Sequence, residues 1–179
     1  MPEDSGEAPH VELIRSFANT LDVEDATDAI ATRRELTRWL HEHELLARRT
    51  PSTDEDLDLA RRLRTGLREA MAAHHDDRPV ASSELDRAAA ELALRLSWGA
   101  EGPRLEPVDP GVRGALARIL VAVNQAVIDD DWERLKVCPD DTCQWAFYDA
   151  TKNRSKSWCG TTCGNKAKTR SYRQRQRTG

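Results

Sequence analysis

The chain has 179 residues, of which 39% are apolar and 32% are charged, enough for one globular domain of about 130 residues with a small attached module. No run approaches the roughly 20 apolar residues needed to cross a bilayer, and the residues after Met1 are acidic rather than an apolar signal stretch. The composition therefore predicts a soluble, cytoplasmic protein with reduced cysteines and no membrane partner.

The net charge of −4 conceals a very uneven distribution along the chain. Residues 151–179 contain nine lysines and arginines and no acidic residue. Because the whole chain has 27 basic and 31 acidic residues, residues 1–150 keep 18 basic residues against 31 acidic ones, a formal charge of −13. A basic end of this kind is typical of proteins that contact nucleic acid, because each neutralised phosphate releases a condensed counterion.

Apolar residues at helical spacing predict four helices in the first half of the chain. The first covers residues 11–21. The next two begin at capping patterns of the form S/T-x-x-E, one at Thr32 and one at Ser52. A fourth begins at Ser82 or Ser83. The sequence up to this point therefore predicts an all-helical body.

The hydrophobic period changes after the fourth helix. Apolar and polar residues alternate over 94–98 and again over 104–106, which predicts a β-hairpin. A long apolar helix follows over 112–128. The predicted fold class is thus mainly α, with a helical domain over residues 1–130 that includes one small hairpin.

All four cysteines of the chain lie close together in the remaining segment. Cys138, Cys143, Cys159 and Cys163 form a C-x4-C pair and a C-x3-C pair with fifteen residues between them. Two such pairs supply four thiolates at the corners of a tetrahedron, so we expect one structural zinc ion. Two disulfides, or oxidation of the zinc-bound thiolates as a redox signal, are the alternatives.

The segment around the cysteines predicts a treble-clef-like finger over residues 131–179. Its expected order is a first knuckle at 137–143, a hairpin built from 144–149 and 156–158, and a basic helix that starts directly after Cys163. In a treble clef the metal ties together elements too small to bury a core of their own. Three aromatic residues are expected to pack the hairpin against the helix: Trp145, Phe147 and Trp158.

Basic residues recur at steps of three and four along the predicted C-terminal helix. Lys166, Arg170, Arg173 and Arg177 would therefore share one helical face, with Tyr172 at its side. A face of this kind can lie along a groove of nucleic acid. The alternative is a solvated basic tail that binds nothing.

Two stretches resemble known families. Residues 138–175 resemble the CGNR-type zinc finger, which is named for a Cys-Gly-Asn-Arg sequence that reads Cys-Gly-Asn-Lys here at 163–166. The sequence SFANTLD at 16–22 and the Trp-Leu pair at 39–40 resemble the ABATE domain. That helical domain is joined to the finger in bacterial stress-induced transcription regulators.

The resemblance implies a DNA-binding finger and an N-terminal domain that senses a ligand or dimerises. Lys166 keeps the positive charge of the signature arginine but lacks its planar fork. The expected nucleic-acid contacts are Arg154, Lys156, Asn165, Lys166, Lys168, Arg170, Arg173, Arg175 and Arg177. Polar residues among apolar neighbours could line a pocket for a small or anionic effector, namely Arg15, Asn19, Thr20 and Arg33, although Asn19 and Thr20 could simply end a helix.

These features favour a transcription regulator that binds duplex DNA, with a homodimer supplying the second half of its site. The alternative is a zinc-stabilised module that binds RNA or another protein without sequence-specific DNA binding. We expect no enzyme, because four thiolates leave no open position on zinc. The five histidines are predicted to lie at the surface, and no nucleophile or phosphate loop stands beside them.

Overall fold

The computed structural model describes residues 7–46, 50–100 and 102–178, without the side chains at positions 174, 177 and 178. The described residues form six α-helices and three two-stranded antiparallel sheets, which confirms the predicted fold class. The helices are α1 (Pro9–Ala18), α2 (Arg33–Glu42), α3 (Asp54–His75), α4 (Ser83–Glu91), α5 (Gly111–Ile128) and α6 (Thr161–Thr178). The strands are β1 (Leu21–Asp22), β2 (Thr27–Asp28), β3 (Leu94–Gly99), β4 (Gly102–Pro107), β5 (Leu135–Val137) and β6 (Ala146–Tyr148).

Side-chain caps set the starts of α2 and α3. The Thr32 hydroxyl caps α2 as predicted, accepting a backbone N–H three residues on at 3.3 Å. The predicted cap at Ser52 is wrong, because Thr53 and Asp56 form the reciprocal capping box of α3 at 3.1 and 2.9 Å. Ser52 instead bonds the Thr37 hydroxyl through its own hydroxyl and its N–H, at 2.8 and 3.1 Å.

The first helix is shorter than predicted and leads into a small ribbon. It ends at Ala18, and β1 pairs with β2 immediately after it. Arg64 on α3 fixes this ribbon, donating to both oxygens of Asp28 at 2.6 and 2.9 Å and to the Thr20 hydroxyl at 3.0 Å. A buried arginine with a bidentate carboxylate partner is a directional tie, so the ribbon is fixed to α3.

One hydrophobic core joins the helices to part of the finger. Helices α1, α3 and α5 pack on one another, and α4 lies so close to α3 that a Cβ on Gly66 would meet the Leu85 nitrogen at 2.4 Å. Strands β5 and β6 contribute Leu135, Val137 and Ala146 to the same core. The finger therefore lies against the helical body rather than on a free linker.

Helix α5 is long and apolar enough to cross a membrane by length and composition alone. Eight of its 18 residues are buried inside the fold, however. That burial is what the core helix of a globular domain requires.

The predicted hairpin is present as β3 and β4. Its register pairs Leu96 with Leu105 and Trp98 with Pro103, so these side chains share one face. None of the described residues covers the outer part of that face, since Leu96 is 58% and Trp98 79% exposed.

Candidate zinc centre and nucleic-acid interface

The four cysteine sulfurs meet at one point. All four lie within 4.8 Å of one another, and the Sγ atom of Cys159 is 3.6 Å from that of Cys143 and 3.8 Å from that of Cys163. A tetrahedral zinc with Zn–S bonds of about 2.3 Å separates its sulfurs by about 3.8 Å. A disulfide needs an S–S distance of about 2.05 Å. The spacing therefore fits one zinc ion and not two disulfides.

The surroundings shift the pKa values of the thiols in different directions. Burial opposes ionisation of Cys138, but hydrogen bonds with the Cys159 and Asp140 backbones outweigh it and lower its pKa. Burial, followed by hydrogen bonding with Cys143, raises the pKa of the Cys163 thiol to about 11. Burial likewise raises the pKa of Cys159. Zinc binds thiolates, so binding of the metal favours the ionised form of all four cysteines. The four cysteines thus hold one structural zinc ion, as predicted, and four thiolates leave no open coordination position.

Local backbone structure sets the first cysteine pair. The carbonyl of Asp140 accepts the N–H of Cys143 at 2.8 Å and that of Gln144 at 3.0 Å, which closes the knuckle. Gln144 has a φ of 51°, a left-handed conformation that lets the chain leave the knuckle towards β6. The Cys138 N–H donates to the Trp145 carbonyl at 2.9 Å.

The second pair lies at the start of α6. This helix begins at Thr161, so Cys163 lies in its first turn rather than before it. The prediction that the helix starts after Cys163 is therefore wrong by about one turn. Because a zinc ligand is part of the helix itself, the metal holds α6 more rigidly than it would hold a helix that started after Cys163.

The hairpin of the finger is present, but its pairing differs from the prediction. Strand β6 pairs with β5, with Val137 opposite Ala146, so the first cysteine pair lies in the turn of the hairpin. The segment 149–158 forms no strand. The reason is its polar composition. The Asp149 carboxylate accepts the N–H of Thr151 at 3.0 Å and the Thr151 hydroxyl at 2.6 Å, and these local bonds compete with strand pairing.

The three predicted aromatic residues pack around the cysteines, which include Cys163 of α6, but Trp158 lies outside the hairpin that forms. Phe147 is buried with the cysteines, and Trp145 and Trp158 cover this cluster. Phe147 is 5% exposed and therefore serves packing rather than base stacking.

A buried ion pair holds the loop that follows β6. Lys136 donates to Asp149 at 2.7 Å and to the Arg154 carbonyl at 2.5 Å, and Asp149 also accepts the Lys156 N–H at 2.9 Å. Burial opposes ionisation of Asp149, but these hydrogen bonds outweigh it and lower its pKa to about 2. This pair has no signature in the sequence, since nothing marks a single Lys or Asp as buried.

Polar side chains of the body dock the finger. The Asn19 amide pairs with the backbone of Ala146, accepting its N–H at 2.8 Å and donating to its carbonyl at 2.9 Å. The buried Arg68 donates to the carbonyls of Ala18 and Gln144, both at 2.9 Å. Body and first knuckle are thereby joined by directional bonds.

Two histidines lie at the same junction, so the prediction that all five are surface residues is wrong. His74 is half-buried, bonds the Leu135 carbonyl at 2.9 Å and meets Trp132 edge to face. Burial lowers its pKa. His75 reaches the Ser157 carbonyl at 3.0 Å, next to the second cysteine pair.

Two of the predicted nucleic-acid contacts lie away from α6. Arg154 is paired with Asp130 at 2.5 Å and with Glu133, both of which follow the end of α5. The Lys156 Nζ lies 5.2 Å from the centre of the Phe147 ring. Both cations are thus engaged with the protein itself.

The other predicted contacts belong to α6. One shallow groove is lined by Asn165, Lys166, Arg170 and Arg173, together with Thr162 and Thr169. Lys168 and Arg175 are exposed, and at 100° per residue they lie on the opposite side of the helix. The side chain of Arg177 falls outside the described part of the chain.

The four residues of the predicted effector pocket do not come together. Arg15 pairs with Glu7 at 3.0 Å, whereas Asn19 and Thr20 make the contacts given above. Arg33 lies beside a separate open cleft of about 650 Å³ that none of the other three lines. That cleft is bordered by Thr32, Arg33, Arg34, Thr37, Arg38, Pro51 and Ser52.

A helical body fused to a four-thiolate finger defines the class: a zinc-finger protein with an N-terminal helical domain. Residues 134–176 match the family described as "CGNR zinc finger", and residues 12–129 match ABATE, described as "Putative stress-induced transcription regulator". The second match covers more than half of the chain, which therefore belongs to the ABATE family. No curated protein matches the chain. Both families are regulatory or metal-binding, so the protein is a zinc-binding member of a regulator family.

Proposed function

We propose that the protein regulates transcription by binding duplex DNA through α6. The observation that carries this proposal is the anchoring of one end of α6 in the zinc centre while its basic face stays exposed. Lys166, Arg170 and Arg173 line that face, and α6 contains no acidic residue. A helix of 18 residues is about 27 Å long and fits a major groove about 12 Å wide.

The two sides of α6 divide the expected contacts. The side that faces the groove carries Asn165, Lys166, Arg170 and Arg173, and Arg177 extends this set. Lys168 and Arg175 lie on the opposite side of the helix and add to the electrostatic attraction of the duplex. Arg154 and Lys156 serve to dock the finger in this proposal, because their charges are already engaged by acidic or aromatic partners.

Selection of bound sequences from random duplexes at two salt concentrations tests the proposal. A regulator enriches one sequence at both concentrations, whereas a mere polycation enriches none and loses all binding in salt. Cys159→Ser serves as the control without an intact zinc centre, and we expect it to enrich nothing. Absence of duplex binding by the zinc-loaded chain at low salt would overturn the proposal.

The second candidate is a finger that binds RNA or another protein. It is favoured by Tyr172, which is 64% exposed on α6 and available for stacking on an unpaired base. Tighter binding of single-stranded RNA than of duplex DNA, lost in Tyr172→Ala, would select this candidate.

The proposal includes a homodimer in the cytoplasm and no catalytic activity. One finger covers only a few base pairs, so a second copy would supply the other half-site. The uncovered face around Leu96 and Trp98 supports self-association, since exposed apolar patches mark contact surfaces. In analytical ultracentrifugation, the molecular mass of the wild type should rise from that of a monomer to that of a dimer as the protein concentration is raised. The control Ile128→Ser should behave in the same way, whereas Trp98→Ser should stay a monomer.

We further propose that an anionic effector binds in the cleft beside Arg33. Arg33, Arg34 and Arg38 line this cleft and favour an anion, which would compete with the exposed carboxylates of Asp54, 3.3 Å from Arg33, and Glu42, 3.9 Å from Arg38. Calorimetric titration with citrate and with inorganic phosphate tests it. Binding that is lost in the Arg33→Ala, Arg38→Ala double variant supports the site, and absence of heat with both anions would count against it.

A further inference from the structure

A carboxylate is buried beside the basic face of α6. Asp140, in the first zinc knuckle, is 1% exposed. Its Oδ1 atom accepts the N–H of Thr142 at 3.1 Å and the Thr142 hydroxyl at 2.8 Å. Its Oδ2 atom is buried and has no hydrogen-bond partner among the described residues. A buried carboxylate oxygen without a donor is unfavourable, so this atom calls for a partner.

The partner within reach is Arg170. Its Nη2 atom lies 3.5 Å from Asp140 Oδ1, although the arginine side chain itself is 61% exposed. A guanidinium has five N–H donors in a planar fork, so one edge can bond a carboxylate while the other edge stays available.

Asp140 also connects Arg170 to the metal centre. The same residue closes the turn between Cys138 and Cys143 through its carbonyl, so its carboxylate is fixed relative to the zinc ligands. An arginine held in this way loses less conformational freedom when it binds than an arginine that moves freely. Lys166 lines the same groove but has no planar fork of donors. Its Nζ atom lies 3.7 Å from the Oε1 atom of Glu24.

We propose that Asp140 is a positioning residue that holds the Arg170 guanidinium for base readout in the groove of duplex DNA. The inference rests on the proposed function. An arginine that is fixed in this way can donate both N–H groups of its free edge to a guanine, which discriminates against the wrong base by roughly tenfold to a hundredfold. Lys166 and Arg173 then contribute mainly contacts with the phosphates that border the groove, and these contacts do not depend on sequence.

Two neighbouring aspartates offer a matched test. Asp140→Asn and Asp141→Asn remove the same charge from the same knuckle, but only Asp140 faces Arg170, and Asp141 is exposed. Affinities of both variants and of the wild type are measured for the duplex that the wild type selects and for a scrambled duplex. Zinc content is measured for each protein.

The two variants should differ in how they change the discrimination between the selected and the scrambled duplex. Loss of a negative charge beside DNA raises affinity for both duplexes in Asp141→Asn, leaving the ratio between them unchanged. In Asp140→Asn we expect higher affinity for the scrambled duplex but a roughly tenfold lower ratio of selected to scrambled binding. Arg170→Lys should lose the same ratio, and adding Asp140→Asn to it should change the ratio no further.

Equal ratios in Asp140→Asn and Asp141→Asn would overturn the inference and leave the proposed function intact. Loss of zinc in Asp140→Asn, with an unchanged ratio in Arg170→Lys, would also overturn it, since the carboxylate would then serve the knuckle alone. Failure of the wild type to bind any duplex would overturn the inference and the proposed function together.

Discussion

The helical body and the zinc finger are held together by different forces. The body buries long apolar side chains such as Phe17, Leu63 and Ile119 completely, and its helices need no ion. The finger buries a cluster of four cysteines and one phenylalanine, covered by two tryptophans. Such a cluster is too small to fold by apolar burial alone, so the finger depends on metal while the body does not.

Strands β5 and β6 connect the helical body and the zinc finger. They belong to the finger by chain order, but Leu135 and Ala146 are fully buried in the core of the body. Loss of zinc should therefore release the knuckles and α6 while part of the hairpin stays docked. The following changes test this division, beginning with the largest effect.

Cys159→Ser should break the finger and spare the body. Structural zinc contributes about 10 kcal/mol or more of folding free energy in small fingers, and serine is a poor zinc ligand. We expect loss of stoichiometric zinc by elemental analysis and loss of amide protection in residues 161–178 by hydrogen exchange. Protection in α3 and α5 should persist, and Ser155→Ala, an exposed control, should match the wild type. Loss of protection throughout α3 would contradict the division.

Lys136→Met should be the most damaging change away from the metal. It leaves the fully buried Asp149 without its cation, which typically costs about 3–5 kcal/mol. Urea unfolding measures the loss. Lys152→Met, at an exposed lysine of the same loop region, should lie within about 0.5 kcal/mol of the wild type. Equal stability of the two variants would show that the pair contributes nothing net.

Asn19→Ala should weaken the connection between the two regions. It removes both hydrogen bonds to Ala146 and leaves a backbone N–H and carbonyl without partners, at a cost of about 1–3 kcal/mol. Asn124→Ala, on the exposed side of α5, is the control. Faster exchange of the Ala146 amide in the first variant only is the expected result, and unchanged exchange there would contradict the docking role.

The smallest expected effect is a pH dependence of the free energy of unfolding, which comes from His74. Burial lowers the pKa of His74 below the value of 6.5 that it has when unfolded. Its contribution to stability is therefore complete above pH 6.5 and is lost as the pH falls towards the lower folded pKa. His74→Gln should show a shallower fall in the free energy of unfolding between pH 7 and pH 5 than the wild type. His41→Gln, at an exposed histidine, should follow the wild type, and a parallel fall in all three proteins would contradict this prediction.

The cysteine spacing and the helical periods were sufficient to predict the zinc centre and the fold class. Both are local patterns, since a knuckle and a helix face are read within a few residues. The basic face of α6 followed from the same kind of spacing. The capping position at Ser52 failed because Thr53, one residue later, offers the same chemistry and nearby Thr37 engages Ser52.

The junction could not be predicted from sequence, because its contacts join distant residues. Asn19 and Ala146 are 127 positions apart, and a side-chain amide that pairs with a backbone leaves no local signature. The hairpin partner was missed for a related reason. Residues 135–137 read Leu-Lys-Val, and three residues with a lysine in the middle are too few to tell a strand from the end of a helix.

The account rests on one claim, that zinc presents α6 to duplex DNA as a rigid basic helix. Fluorescence anisotropy of a labelled duplex, titrated with the zinc-loaded chain over a series of salt concentrations, tests it most directly. Each phosphate contact contributes about −0.9 to the slope of log K against log salt, so several contacts predict a slope of about −3 to −6. Arg173→Gln should reduce its magnitude by about one. A flat salt dependence, or equal binding by the zinc-free chain, would contradict the claim.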